Sequence, residues 1–215
     1  MKWEEFLAKF SGRPLFHSSM LRLFDDAPAH VEVQLSRWAA GGKLSRIRRG
    51  WYLINGPYRS RDISEAEVAN TVVQPSYLSL DWALGFYGLI PEAVFNPTSI
   101  TTARGISFTS GRFRYFYHHV QPGFFTGYER IERAGHLLIV AAPEKALLDK
   151  MYIALRHSEF SRRWLEGLRL QNLDTWDEAK FRGWANCVRK PGFAAAVDAA
   201  ARYVEMIREN WEGPA

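Results

Sequence analysis

Cysteine is almost missing from this 215-residue chain. Cys187 stands alone, which excludes an internal disulfide and a cysteine-based zinc cage. Long apolar runs are missing too. The longest is Leu137-Leu138-Ile139-Val140-Ala141-Ala142, far below the ~20 residues that span a bilayer. The N-terminal Met1-Lys2-Trp3-Glu4-Glu5 carries acids where a secretory signal has basic and apolar regions. A cytoplasmic, soluble protein with no membrane partner is expected. Also absent are a Gly-rich phosphate loop, a His-Glu-x-x-His zinc pair and a Gly-x-Ser-x-Gly elbow, which weighs against the enzyme classes built on them. Apolar material is not lacking: 47% of residues are hydrophobic and 24% charged, so wholesale disorder is excluded. The length suits one large domain or two small ones.

Positive charge is unevenly placed. Residues 1–61 hold 11 Lys+Arg against 5 Asp+Glu, a net +6, and residues 62–215 hold 17 against 18, a net −1. A basic segment beside a neutral one reads as a nucleic-acid-binding module on a larger body. The bland alternative is a solvated basic surface.

The local pattern favours the first reading. Trp3, Phe6, Leu7 and Phe10 recur at helical spacing over residues 2–10. Gly12 and Pro14 end that helix. Ser18 or Ser19 can cap a short second helix carrying Met20, Leu21 and Leu23-Phe24. Asp25-Asp26-Ala27-Pro28 reads as a turn, with Pro28 opening a third helix. There Val31, Leu35 and Trp38 form one buried stripe, and Gly41-Gly42 ends it. Leu44 to Arg48 and Trp51 to Ile54 read as two strands around an Arg49-Gly50 turn. Three helices and a hairpin is the order of a winged helix-turn-helix, and double-stranded DNA is the partner its chemistry fits. His30, Gln34 and Arg37 form an outward stripe, in which Gln can pair with adenine and Arg with guanine. His30 reads more simply as a plain surface histidine near a helix start. Val33, nearly opposite the core stripe, could touch a thymine methyl. Lys43, Arg46, Arg48 and Arg49 crowd the wing, where phosphate or minor-groove contact is expected. Ser18 and Ser19 sit where a helix N-terminus could meet a phosphate.

The pattern divides the chain into a DNA-binding module over residues 1–56, a linker over 57–61 and a second domain over 62–215. In the second domain, Asp62-Ile63-Ser64 starts a helix that ends before Pro75, and Ser76 to Gly88 reads as a further helix. Thr98 to Ala103, Arg112 to Val120 and Gly135 to Ala142 look like strands. Pro143 opens another helix, and helices follow at about 160–170, 175–187 and 192–211. The expected fold class is α+β: the winged module, then a mixed helix-and-strand domain ending in helices.

Two blocks carry a resemblance. Tyr77-Leu78-Ser79-Leu80-Asp81-Trp82-Ala83-Leu84-Gly85-Phe86-Tyr87-Gly88-Leu89-Ile90-Pro91-Glu92 resembles a signature of AbiEi-type antitoxins, the antitoxin halves of type IV toxin–antitoxin systems linked to abortive infection by phage. Ile139-Val140-Ala141-Ala142-Pro143-Glu144-Lys145-Ala146-Leu147-Leu148-Asp149 is similar to a second signature, and Gly42 to Tyr52 to the family's wing. The likeness covers residues 1–155 and leaves the last ~60 unmatched. It implies a winged-helix repressor of its own operon, acting on inverted repeats as a monomer or weak dimer. It also implies an antitoxin against a nucleotidyltransferase-type toxin, with direct contact not required. No enzyme activity, cofactor or metal is expected.

Within the blocks, Ser79 reads as a helix cap and Asp81 as a first-turn acid. Glu144-Lys145 and Asp149-Lys150 read as a helix-start acid and solvent-facing pairs around an Ala146-Leu147 packing face. Tyr115, Tyr117, His118 and His119 alternate on a strand, so the two histidines cannot share a metal. Two rival functions are a nuclease-like enzyme targeted by the winged module, and a small-molecule-responsive regulator with Trp82, Phe86 and Tyr87 lining a pocket.

Overall fold

Aromatic spacing builds the first element. Trp3, Phe6 and Phe10 bury one face of helix α1 (Trp3–Phe10). The computed structural model describes residues 1–24 and 28–210, so the turn expected over Asp25 to Ala27 lies outside the described residues. Strand β1 (Leu15–His17) follows α1 and leads into a 3-10 turn, Ser18–Leu23. Helix α2 (Pro28–Ala40) then leads to strands β2 (Leu44–Arg48) and β3 (Trp51–Ile54). The three strands pair antiparallel in the order β1-β3-β2. Val31, Leu35 and Trp38 are buried as their spacing requires, and Phe6 packs against Phe16 and Trp38 with ring centroids 5.2 and 4.9 Å away.

Two expectations about this segment need correction. β1 was not expected, because three residues are too few for an alternation to register; its pairing with β3, Leu15 opposite Leu53, holds it. The expected second helix is the 3-10 turn, and neither serine caps it. The His17 ring nitrogen Nδ1 accepts from the Ser19 N–H at 3.3 Å, so His17 is the cap.

The larger body begins at helix α3 (Glu65–Val72), whose cap Ser64 accepts the Glu67 N–H at 3.2 Å. The stretch expected as one helix from Ser76 is instead strand β4 (Ser76–Leu78) followed by helix α4 (Leu80–Phe86). Leu80 adopts φ 59°, a left-handed conformation that separates the strand from the helix. Strands β5 (Thr98–Thr101), β6 (Ile106–Ser110) and β7 (Phe113–His119) come next, then β8 (Tyr128–Arg133) and β9 (His136–Ala141). They form one sheet, β6-β7-β5-β4-β9-β8. β4 runs parallel to β9 and β5 parallel to β7; the other pairings are antiparallel. β6 and β8, the two edge strands, were not expected. Helix α5 (Pro143–Arg156) lies against β9 and α4. Helices α6 (Arg162–Gly167), α7 (Glu178–Ala185) and α8 (Phe193–Glu209) complete the chain, with α7 and α8 packed on α5. The architecture is thus mixed α+β. Among the described residues no helix is long and apolar enough to cross a membrane.

The two cores meet at β2. A bulge between Arg46 and Arg48 adds a residue to the strand, and that residue, Ile47, is buried in the larger core. Leu44, by contrast, belongs to the smaller one. Leu15, Trp51 and Leu53 also pack on the larger core.

Candidate functional site

Two sets of residues carry chemistry. The first is the basic N-terminal surface. On α2, His30 and Arg37 are exposed, and Val33 is 56% exposed. Gln34 does not join them freely: it is half-buried, and its Nε2 donates to the Met1 carbonyl. The expectation of an outward stripe is therefore corrected at its middle member, because the first residue of the chain lies against it.

The four basic residues expected to crowd the hairpin separate into two kinds. Arg46 and Arg49 are exposed. Lys43 is half-buried, with its Nζ 4.9 Å from the centre of the Trp3 ring. The Arg48 guanidinium lies 5.6 Å from the centre of the Phe108 ring on β6, within cation–π range. The bulge turns the strand so that Arg48 faces the larger body.

Ser18 and Ser19 come next to the hairpin turn. The Ser18 N–H donates to the Gly50 carbonyl at 2.7 Å, and Ser19 Oγ lies 2.8 Å from His17 Nδ1. Gly50 has φ +79°, and a Cβ there would lie 2.3 Å from His17 Nε2. Only glycine lets the turn close on His17. His17 was missed by sequence reasoning; no periodicity marks it, and the closeness of Gly50 is a purely tertiary signal.

The second set is a buried charge network. Lys145 and Asp149 sit one turn apart on α5, and both are fully buried. The Lys145 ammonium donates to Asp149 Oδ1 and, at 3.1 Å, to the Tyr77 hydroxyl. That hydroxyl donates in turn to Asp149 Oδ2 at 3.0 Å, and Ser79 Oγ donates to the same oxygen at 2.7 Å. The ammonium also lies 3.6 Å from the centre of the Phe124 ring. Burial pushes the Asp149 carboxyl up and the Lys145 ammonium down, drawing their neutral forms closer to the ion pair. Burial, then the Asp149 charge, pushes the Tyr77 phenol up.

This network overturns two expectations. Lys145 and Asp149 are not solvent-facing pairs, and Ser79 makes no side-chain cap bond to α4. Its hydroxyl is committed to Asp149 instead. The i, i+4 spacing places both charges on one helix face, and that face happens to be the one that meets β4. Asp81 and Lys150 do pair near the surface, at 2.7 Å. Tyr115 and Tyr117 are buried, and His119 is exposed. Trp82 is buried and stacked on Phe86, 5.3 Å between centroids. Among the described residues no group of three or more His, Cys, Asp and Glu could hold a metal ion.

The two long blocks singled out in the sequence are joined by this network. Leu78 of β4 registers with Val140 of β9, and Tyr77 and Ser79 reach across to α5. The residues in them that looked most like chemistry hold the sheet to the helix. No protein-family model matches the chain, and no curated protein is similar to it.

Proposed function

We propose that this protein is a DNA-binding transcriptional repressor that also serves as an antitoxin of the AbiEi type. The observation that carries the DNA-binding half is the exposure of Arg37, Arg46 and Arg49 on one small module of net positive charge. The order helix, strand, helical turn, helix and hairpin supports reading that module as a winged helix-turn-helix. In this reading α2 enters the major groove, where His30 and Arg37 reach base edges and Val33 a thymine methyl. Gln34 joins them only by giving up its bond to Met1. Arg46 and Arg49 meet phosphates, with Ser18 and Ser19 beside the turn. Lys43 and Arg48 add charge to the field while packing on Trp3 and Phe108.

The antitoxin half rests on the resemblance of the two long blocks. Their meeting in one buried network supports treating them as a single structural unit. The partner this implies is a nucleotidyltransferase-type toxin encoded beside it, opposed with or without direct contact. The operator would be an inverted repeat in the chain's own promoter.

The test is binding of the full chain to duplex DNA from that promoter, by fluorescence anisotropy across salt. Two phosphate contacts, from Arg46 and Arg49, give a log–log slope of about −1.8, so affinity should fall about twelvefold between ~50 and ~200 mM salt. Salt-insensitive binding, or none, would overturn the reading.

A further inference from the structure

A cavity of about 390 Å³ opens between the start of β8, the β9–α5 junction and α7. That volume lies in the range of small-ligand pockets. Its walls are aromatic. The Trp184 ring lies against Gly127, whose φ is +72° and where a Cβ would come within 2.9 Å of both Trp184 and Lys145. Tyr128, 41% exposed, forms another wall and is held in place by stacking on Tyr77, 4.7 Å between centroids.

The polar groups of the lining are mostly acceptors. Glu129 stands on the rim and Glu144, only 3% exposed, lies deeper. Glu144 Oε1 accepts the Asp177 N–H at 2.8 Å; among the described residues neither carboxyl is paired with a cation. The Tyr87 hydroxyl lines the same space, is shielded from solvent, and has no hydrogen-bond partner. Its phenol is pushed up by burial and by the nearby Glu129 and Glu144. Among the described residues Lys180 is the one basic side chain lining the cavity, and it already faces Asp177 at 3.9 Å. The positive end of α5 also points here, but Glu144 in its first turn answers that charge.

Two carboxyls, an unpartnered hydroxyl and two aromatic faces suit a ligand that donates hydrogen bonds, carries positive charge and is flat. We infer that this cavity binds an organic cation, with the guanidinium of an arginine side chain as its best fit. A guanidinium has five N–H donors and no acceptor, pairs bidentately with carboxylates, and stacks on indole and phenol rings. The inference does not depend on the DNA reading, and either can fail alone.

The test titrates the full chain with N-acetyl-L-arginine amide, free L-arginine, N-acetyl-L-citrulline amide and inorganic phosphate, following the Trp184 indole N–H resonance. The blocked arginine should saturate the shift, and its neutral citrulline isostere should not. Tighter binding of free arginine would mark a small-molecule ligand; tighter binding of the blocked form would mark a protein side chain. Both support the cation site. Glu129→Gln should weaken binding about tenfold, because it removes a charge-assisted bond. Tyr87→Phe should weaken it about threefold while leaving the melting temperature unchanged, since that hydroxyl bonds nothing in the fold. Equal response to citrulline, response to phosphate alone, or no saturating response would overturn the inference.

Discussion

The two cores of this protein treat charge in opposite ways. The smaller one, from Trp3 to Ile54, is built of aromatic and aliphatic side chains with no buried charge among the described residues. Among the described residues, every ionisable group of that region stays at or near its surface. The larger one buries Glu144, Lys145 and Asp149, together with Asn70, Ser76, Ser79, Ser99 and Thr101. An apolar core can be assembled by hydrophobic burial alone, leaving the surface free to take whatever charge a partner requires. A buried ion pair must be satisfied from inside, so its members cannot also serve a ligand. The contrast explains why the basic surface is the better candidate for binding, although the residues of the two long blocks that looked most like chemistry lie elsewhere.

The sharpest break in that comparison is Asp149→Ala. It strands the Lys145 ammonium in the core and removes the acceptor of Tyr77 and Ser79. A loss of about 3–5 kcal/mol is expected, read as a lower urea midpoint with little change in slope. The double variant Lys145→Met/Asp149→Leu should recover most of it, because no charge is left unpaired. If Asp149→Ala costs under about 1 kcal/mol, the pair is not the structural element described.

Much of this was legible in the chain, and the failures have physical causes. The α2 stripe and the β2–β3 hairpin could be read because local spacing alone determines which face is buried. The boundary at Pro143 could be read because proline suits a helix start. The Lys145–Asp149 pair was misjudged because i, i+4 charges on a helix are usually solvated. Whether that face is wet depends on Tyr77 of β4 and on Ser79 just after it, 72 and 70 residues before Asp149. β4 itself was hidden, since Ser76 to Gly88 reads as one helical run until Leu80 is known to be left-handed. β8 was hidden because Tyr128-Glu129-Arg130-Ile131-Glu132-Arg133 is an edge strand, and charged edges look like loops. At the candidate DNA surface, exposure of Arg37, Arg46 and Arg49 followed from the pattern. The diversion of Gln34 to Met1 and Arg48 to Phe108 needed tertiary information.

That last division can be sharpened by mutation. Arg37→Ala should lose about 1–3 kcal/mol of discrimination between operator and random duplex, the worth of one good base contact. Arg49→Ala should weaken both duplexes alike and reduce the salt slope by about 0.9. Arg48→Ala should lower the melting temperature slightly, because it uncovers Phe108, and should change the salt slope less than Arg49→Ala. Competition titrations on the folded variants check all three. An Arg48→Ala effect on slope as large as that of Arg49→Ala would mean that Arg48 leaves Phe108 to meet DNA.

The smallest effect lies where the two regions join. Ser60 Oγ donates to the Ser11 carbonyl at 2.9 Å on one side of the junction, and Arg61 Nη1 donates to Glu67 Oε2 at 2.9 Å on the other. His136 Nδ1 meets the same Glu67 oxygen at 2.9 Å. Burial opposes ionisation of Glu67, whose side chain is 16% exposed, but the bonds from Arg61 and His136 prevail and hold its carboxyl below the usual carboxylate range. A depressed carboxyl stabilises the folded state above its unfolded value, and that contribution is lost as pH falls through the lower, folded value. Wild-type stability should therefore decline on the acid side below about pH 4.5, the ordinary value of the group. Glu67→Gln removes that contribution while keeping an acceptor for Arg61. Because the Arg61 side chain is 43% exposed, the difference at neutral pH should be only about 0.5–1 kcal/mol. The gap between variant and wild type should close as pH falls through the depressed folded value, below which both side chains are uncharged. Chemical denaturation at several pH values measures it. A gap that stays constant with pH would show that Glu67 acts by packing alone, and that the junction is held by the Ser60–Ser11 bond and the apolar contacts around Ile47.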